Sequence, residues 1–210
     1  MLTLYHAPRS RSSRIIWLLE ELGADYEVKT VSIRRRDPAA QGPDAQMIGE
    51  PDPQNVHPHG KVPALLHDGA RVFESSAIVL YLTDAFPERR IGPRIGEPLR
   101  GPYLSWLAYS AGVIEPAFTS AFFDFHLANS TTGWAPVADV MAFVNETLAK
   151  GPYILGDVFS GADVLIGSTF ALFLGHPLVP RTDQLAAYVE RLTSRPAYMR
   201  AAAKDETAGG

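Results

Sequence analysis

The run Gly60-Lys61-Val62-Pro63-Ala64-Leu65, with Glu74-Ser75-Ser76 downstream, constrains the fold more than any other part of the chain. Proline has no N–H for a central ladder, so Val62-Pro63 belongs at a strand start or in a turn. An X–Pro bond is also the one peptide bond that takes the cis form at low cost. A cis bond here turns the Val62 N–H and C=O outward, where an extended, peptide-like ligand can pair with them. Glu74-Ser75 then closes a strand and opens a helix. That junction sets an acidic side chain beside a helix N-terminus, one charge for an ammonium and one dipole for a carboxylate. Together the two segments describe a site for a small zwitterionic peptide.

The other bulk features exclude several classes. A chain of 210 residues holds one large domain or two small ones, and 46% apolar residues is too high for disorder. A net charge of -4 argues against a nucleic-acid partner, which needs a basic face. The chain has no cysteine, which removes disulfides, thiolate metal sites and any protein thiol nucleophile. Met1 to Pro8 shows no basic region ahead of an apolar run, and no apolar stretch reaches membrane length. The expectation is a cytoplasmic protein with no membrane partner.

Patterning divides the chain. Leu2 to His6 reads as a short strand ended by Ala7-Pro8. Ser12 or Ser13 is placed to cap a helix whose apolar stripe is Ile15, Ile16, Leu18, Leu19 and Leu22, with Gly23 as its C-cap. A second strand is expected over Tyr26 to Ile33. Asp37 to His59 reads as a long irregular segment with one helical turn at Ala45 to Ile48. Val62 to His67 and Arg71 to Phe73 form a hairpin about Asp68-Gly69. Ser75 starts a helix with Ile78, Tyr81, Leu82 and Phe86 on one face, stopped by Pro87. The order β-α-β then β-β-α predicts a small mixed sheet with helices on both faces.

Composition shifts to Pro, Gly and Arg over Glu88 to Glu97, a linker, and strand signals then stop. Helices are expected at 99–126 (bent near Pro116), 135–150, 160–176 and 183–194. Ser160 and Asp163 form a capping box ahead of an apolar run. The tail from Lys204 to Gly210 is expected to fray. No internal repeat is visible.

Over nearly its whole length the chain resembles the cytosolic glutathione transferases, and within them the serine-type, theta-like or bacterial members. The matching pieces are Leu4-Tyr5; Ser10-Arg11-Ser12; Ile16 to Gly23; Gly60 to Leu65; Glu74 to Ile78; and Gly156-Asp157 with Ser160 and Asp163. Each is weak alone, but their order and spacing are specific. The resemblance implies an α/β plus all-α architecture. Residues 1–86 would form a thioredoxin-like glutathione-binding domain, 87–97 a linker and 98–210 an all-helical domain. It further implies glutathione as cosubstrate, no metal, a small electrophile as second substrate and a homodimer. Where members often carry Asn-Pro before the Gly-Lys-Val-Pro run, this chain has His57-Pro58-His59.

The resemblance assigns roles residue by residue. Ser10 matches the catalytic serine, whose hydroxyl would stabilise a thiolate beside a helix N-terminus. Ser12 is the second choice, and the competing reading of both is ordinary helix entry. Tyr5 matches in type the tyrosine of other classes but reads as core. Arg11 is either a cation beside the thiolate or a solvated arginine. Glu74 would take the ammonium of the γ-glutamyl end, with Ser75 and the helix-start N–H groups on its carboxylate. Val62 and Pro63 supply the backbone contact. Lys61 is either a point charge for the glycine carboxylate or a surface lysine. His57 and His59 lack a third metal ligand, so a loop histidine or a ligand contact by His57 is the expectation. Tyr103, Trp106 and Tyr109 fall at helical spacing and read as core or interface, while the resemblance also implies that some of them could line the electrophile site.

Two function classes remain open in the sequence. One is an enzyme that transfers glutathione sulfur to an electrophilic carbon. The other is a glutathione-binding protein of the same fold without turnover. Thiol–disulfide reduction through a protein cysteine is disfavoured by the missing cysteine.

Overall fold

The computed structural model describes residues 1–37, 39, 46–125 and 131–208. The chain falls into two compact units. The first is Met1–Phe86 together with the segment that begins at Pro196, and the second is Pro87–Arg195.

In the first unit, β1 (Leu2–His6) is an inner strand, and its residues are almost all buried, as a strand covered on both faces requires. It runs parallel to β2 (Glu27–Thr30) and antiparallel to β5 (Ala64–His67), which pairs with β6 (Ala70–Phe73). The sheet order is β2-β1-β5-β6. Parallel strands need a crossover, and α1 (Ser13–Leu22) supplies it. Ile15, Ile16, Trp17, Leu18, Leu19 and Leu22 are buried along α1, and Gly23 ends it with φ +58. The β5–β6 turn is Asp68-Gly69, both with positive φ, as a two-residue hairpin demands. Strand β2 is shorter than the expected 26–33.

The segment 45–48 corrects an expectation. Met47–Ile48 is a strand, β4, paired antiparallel with β3 (Arg35–Arg36), not part of a helical turn. Nucleating one isolated turn is unfavourable, and a partner strand offers hydrogen bonds without that cost. Ala45 lies outside the described residues. After β6, α2 (Ser75–Ala85) buries Ile78, Val79 and Leu82 and stops before Pro87.

The C-terminal segment also differs from expectation. Residues 196–207 form α8 (Pro196–Thr207), so Lys204 to Thr207 are helical, while Gly209 and Gly210 lie outside the described residues. Helix α8 packs on α1 in the first unit instead of extending the helical domain. The Tyr198 ring meets Trp17 edge-on at 5.1 Å. Glu20 of α1 accepts from Arg200 Nε at 2.7 Å, from Lys204 Nζ and from Tyr26 Oη at 2.7 Å. This ionic anchor holds α8 against α1 as far as Lys204.

The second unit is helical: α3 (Arg100–Tyr109), α4 (Glu115–Phe122), α5 (Val137–Leu148), α6 (Gly161–Phe173) and α7 (Asp183–Thr193). The expected bend near Pro116 is a π turn over Ser110–Ile114 between α3 and α4. Pro116 has no N–H for Gly112 and its ring crowds that carbonyl. The helix widens instead, and the Glu115 N–H bonds Ser110. His126, the expected end of this stretch, lies outside the described residues. Tyr103 is core, and Trp106 stacks on Phe143 at 4.9 Å. The capping box forms at α6. Asp163 is fully buried and accepts from the N–H groups of Ile154 and Ser160 and the hydroxyls of Ser160 and Tyr188. Gly167 admits α7, because a Cβ there would sit 2.1 Å from Leu192 Cδ1. A mixed sheet of the thioredoxin-like kind followed by a helical region is the fold class the resemblance implied. No helix among the described residues is long and apolar enough to cross a membrane.

Candidate active site

Strand register gathers the site. Tyr5, Ala64 and Phe73 form the last shared rung of β1, β5 and β6. Just beyond it the chain leaves β1 through Ala7, enters β5 through Val62-Pro63 and leaves β6 at Glu74. The loop carrying Ser10, the Val62 backbone and the start of α2 therefore emerge at one end of the sheet. Tyr5, Ala7, Val31, Val62 and Ala64 pack together beneath them. Tyr5 is thus core, as its place in the strand suggested.

The Val62-Pro63 bond is cis. The Val62 side chain is buried, and Val62 precedes the first rung of the ladder. The preceding loop is tied down. Asn55 Nδ2 donates to the Lys61 carbonyl at 2.9 Å, and Asn55 Oδ1 accepts from the His57 N–H at 3.0 Å. Gly60 has φ +60, and a Cβ there would lie 2.6 Å from Pro51 Cβ, so only glycine fits without rearrangement. Lys61 is exposed.

His57 is buried, with its ring edge against Phe73 at 5.7 Å. Its Nδ1 accepts from the His59 N–H at 3.1 Å, which leaves Nε2 as the protonated nitrogen of the neutral ring. Burial lowers its pKa; the Glu74 charge opposes this, and His59, Lys61 and Arg71 add to the lowering.

Glu74 has φ +69 and ψ 124, a rare conformation for a residue with a Cβ that costs about 1–3 kcal/mol. Such strain persists where a site requires it. Its carbonyl accepts the Ile78 N–H at 2.9 Å, while its exposed side chain makes no cap bond to α2. Ser75 is half-buried at the first position of that helix.

At the other segment, Ser10 is half-buried and Arg11 exposed. Ser10 Oγ lies 2.7 Å from Ser12 Oγ and accepts the Ser12 N–H at 3.1 Å. Ser12 does not cap α1. It stands at the N-cap position with helical φ and ψ and makes no side-chain cap bond. An extended backbone is what aims a capping hydroxyl at the first turn, and Ser12 lacks it. Its fully buried hydroxyl lies 2.8 Å from His6 Nδ1 and accepts the Ala7 N–H at 3.2 Å.

Sequence reasoning missed two residues here, His6 and Asp205. His6, the last residue of β1, is fully buried. Asp205 reaches from α8 to accept the Arg9 N–H at 3.1 Å and the Ser13 hydroxyl at 2.6 Å. His6 Nε2 lies 3.2 Å from Asp205 Oδ1, off the line of a good hydrogen bond. Burial lowers the His6 pKa, Asp205 opposes that, and Arg35 reinforces it. Arg35 Nη2 also donates to the Pro8 carbonyl at 2.6 Å, which fixes the loop from the other side. The missed signal was Pro196 at the head of an alanine-rich run, a helix start.

Residues 9–85 match the family described as Glutathione S-transferase, N-terminal domain. Glutathione S-transferase GstA of Escherichia coli O157:H7 is 27% identical over 196 residues, 92% of this chain and 93% of that protein. A glutathione S-transferase structure from Actinobacillus pleuropneumoniae aligns with TM-score 0.77 and 28% identity, covering 98% of this chain and 93% of that one. A sphingomonad glutathione S-transferase, solved with glutathione, aligns with TM-score 0.71 and 28% identity over 97% of this chain and 98% of that one. Residues 9–85 thus match the glutathione S-transferase N-terminal domain family, and the whole chain shares its fold with these glutathione S-transferases.

Proposed function

We propose that the protein binds glutathione and transfers its sulfur to a small electrophile, with Ser10 as the residue that meets the sulfur. The observation that carries this reading is the convergence of the Val62 backbone, the strained Glu74 and the Ser10 loop at one end of the sheet. The Val62 N–H and C=O pair with the ligand backbone. Glu74 takes the ammonium, and Ser75 with the start of α2 takes the α-carboxylate. Lys61 and His57 lie on the loop toward the glycine end. The Ser10 hydroxyl donates to the thiolate, and Arg11 adds a positive charge to the same loop. Rate acceleration then comes from holding an ionised sulfur in place. Assembly as a homodimer rests on the resemblance to glutathione S-transferases, and a monomer in light scattering at micromolar concentration would contradict it.

One observation favours a second reading, a glutathione-binding protein without turnover. Asp205 places a carboxylate beside the start of α1, where an anionic sulfur is also to sit.

Turnover of the unmodified protein with a small electrophile separates the readings, and Ser10→Ala then tests the role of Ser10. The lost hydrogen bond to an ionised partner is worth about 1.5–3 kcal/mol, a rate loss of about tenfold to a hundredfold. Glutathione affinity changes little, because the ligand is held mainly at its charged ends. Unchanged turnover in Ser10→Ala would make Ser10 an ordinary loop serine.

A further inference from the structure

We propose that Ser10, Ser12 and His6, with Asp205 behind them, form a relay that carries the thiol proton of bound glutathione inward to His6. The inference rests on the reading of Ser10 as the residue facing the sulfur. A continuous chain of polar atoms starts at the half-buried Ser10 and ends in the core. Ser10 Oγ to Ser12 Oγ is 2.7 Å, Ser12 Oγ to His6 Nδ1 is 2.8 Å, and His6 Nε2 to Asp205 Oδ1 is 3.2 Å. Ser12 and His6 are both fully buried, so water does not interrupt the chain.

The resting direction of the chain follows from donor and acceptor roles. Before glutathione binds, burial favours the neutral form of His6, with Asp205 opposing it. With its proton on Nε2, toward Asp205, Nδ1 is an acceptor. Ser12 then donates to His6, and Ser10 donates to Ser12. The Ala7 carbonyl competes for the Ser12 proton, but at 3.3 Å. The Ala7 N–H meanwhile donates to Ser12 Oγ and holds it in place. In this direction Ser10 Oγ, which accepts the Ser12 N–H with one lone pair, has its other lone pair to accept from a thiol.

Transfer reverses the Ser10–Ser12 and Ser12–His6 hydrogen bonds and leaves the Nε2 proton facing Asp205. The S–H bond breaks and its electron pair stays on sulfur. The thiol proton goes to Ser10 Oγ, the Ser10 proton to Ser12 Oγ, and the Ser12 proton to His6 Nδ1. One S–H bond is lost and one N–H bond is formed, with no oxidation or reduction. Ser10 now points its O–H at the sulfur, which is the hydrogen bond the thiolate needs. The imidazolium faces Asp205 from α8, while Arg35 from β3 opposes it. Asp205 is held by Arg9 and Ser13, and it acts through His6 as a positioning residue. The carboxylate that looks unfavourable for an anionic sulfur is thereby the counter-charge of the proton acceptor.

The test uses the full chain and glutathione itself. Thiolate absorbance gives the pKa of the bound thiol. Calorimetry in two buffers of unlike ionisation heat counts the protons released on binding. The relay predicts that thiolate forms in the unmodified protein at neutral pH with far less than one proton released per thiolate. It also predicts that Asp205→Asn raises the thiol pKa by about one unit, because the imidazolium loses its counter-charge. A direct field effect has the opposite sign, since removing a nearby anion lowers a thiol pKa. Release of a full proton with each thiolate, or a lowered pKa in Asp205→Asn, would overturn the relay. His6→Asn should behave as Asp205→Asn; if it does not fold, the proton count in the unmodified protein decides. A raised thiol pKa in Ser10→Ala with full proton release in the unmodified protein sinks the relay alone. A Ser10→Ala variant with an unaltered thiol pKa, or failure to bind glutathione at all, sinks both readings.

Discussion

Glu20 ties the C-terminal helix to the site, and replacing it with glutamine measures that tie. Burial alone would raise the Glu20 pKa, but hydrogen bonds from Lys204, Arg200 and Tyr26 outweigh it and hold the carboxyl at about 2, against 4.5 for a free glutamate. At 1.36 kcal/mol per pKa unit that drop corresponds to about 3 kcal/mol. Arg200 and Lys204 are half exposed, so solvent screening reduces the figure to about 1–2 kcal/mol. The folded pKa is depressed, so this stabilisation is present above 4.5 and is lost as the pH falls toward 2. The expected result for Glu20→Gln at neutral pH is local. Hydrogen exchange across α8 should quicken about fivefold to thirtyfold while the second unit keeps its protection. In the unmodified protein, lowering the pH below 4.5 should loosen α8 in the same way. Asp205 travels with α8, so the pKa of a thiol bound near Ser10 should also move in Glu20→Gln. Unchanged exchange across α8 would refute the anchor, and the order of the tail would then need a cause other than these ion pairs.

Other outcomes follow from the same geometry. Glu74→Ala should weaken glutathione binding by about 2–4 kcal/mol, since one partner of a desolvated charge pair is removed; unchanged affinity by calorimetry would reduce Glu74 to a helix-start acid. Asp163→Ala leaves two buried N–H groups and two hydroxyls without their acceptor, so urea unfolding should show a loss of about 3–5 kcal/mol. Burial pushes the Asp163 carboxyl up to about 6, above its unfolded value of 3.8. Its contribution is therefore full below 3.8 and falls as the pH rises through 6, and Asp163→Ala should lose that part of the pH dependence.

What was legible in the sequence was local or carried by a residue with few alternatives. Pro63 marked the entry to β5 because proline cannot serve inside a ladder. Asp68-Gly69 marked a hairpin because both residues accept positive φ, and Ser160 with Asp163 marked the head of α6. What escaped depended on partners distant in sequence. The polar tail from Lys204 reads as frayed until Glu20 and Tyr26 are brought beside it. Met47 and Ile48 read as a helical turn until Arg35 and Arg36 offer a strand. Ser12 reads as a cap because serine usually caps. Its helical backbone and the buried His6 decide otherwise, and neither can be seen from spacing. Asp205 carries no local signal of function at all, since its role comes from the docking of α8.

The central claim is that the sheet end bounded by Ser10, Val62 and Glu74 holds glutathione with its sulfur ionised. Titrating thiolate absorbance of glutathione bound to the unmodified protein tests it directly. The account predicts half-ionisation well below the value of about 8.5 for a free thiol. A bound thiol that titrates as it does in water, or no binding at millimolar glutathione, would contradict it.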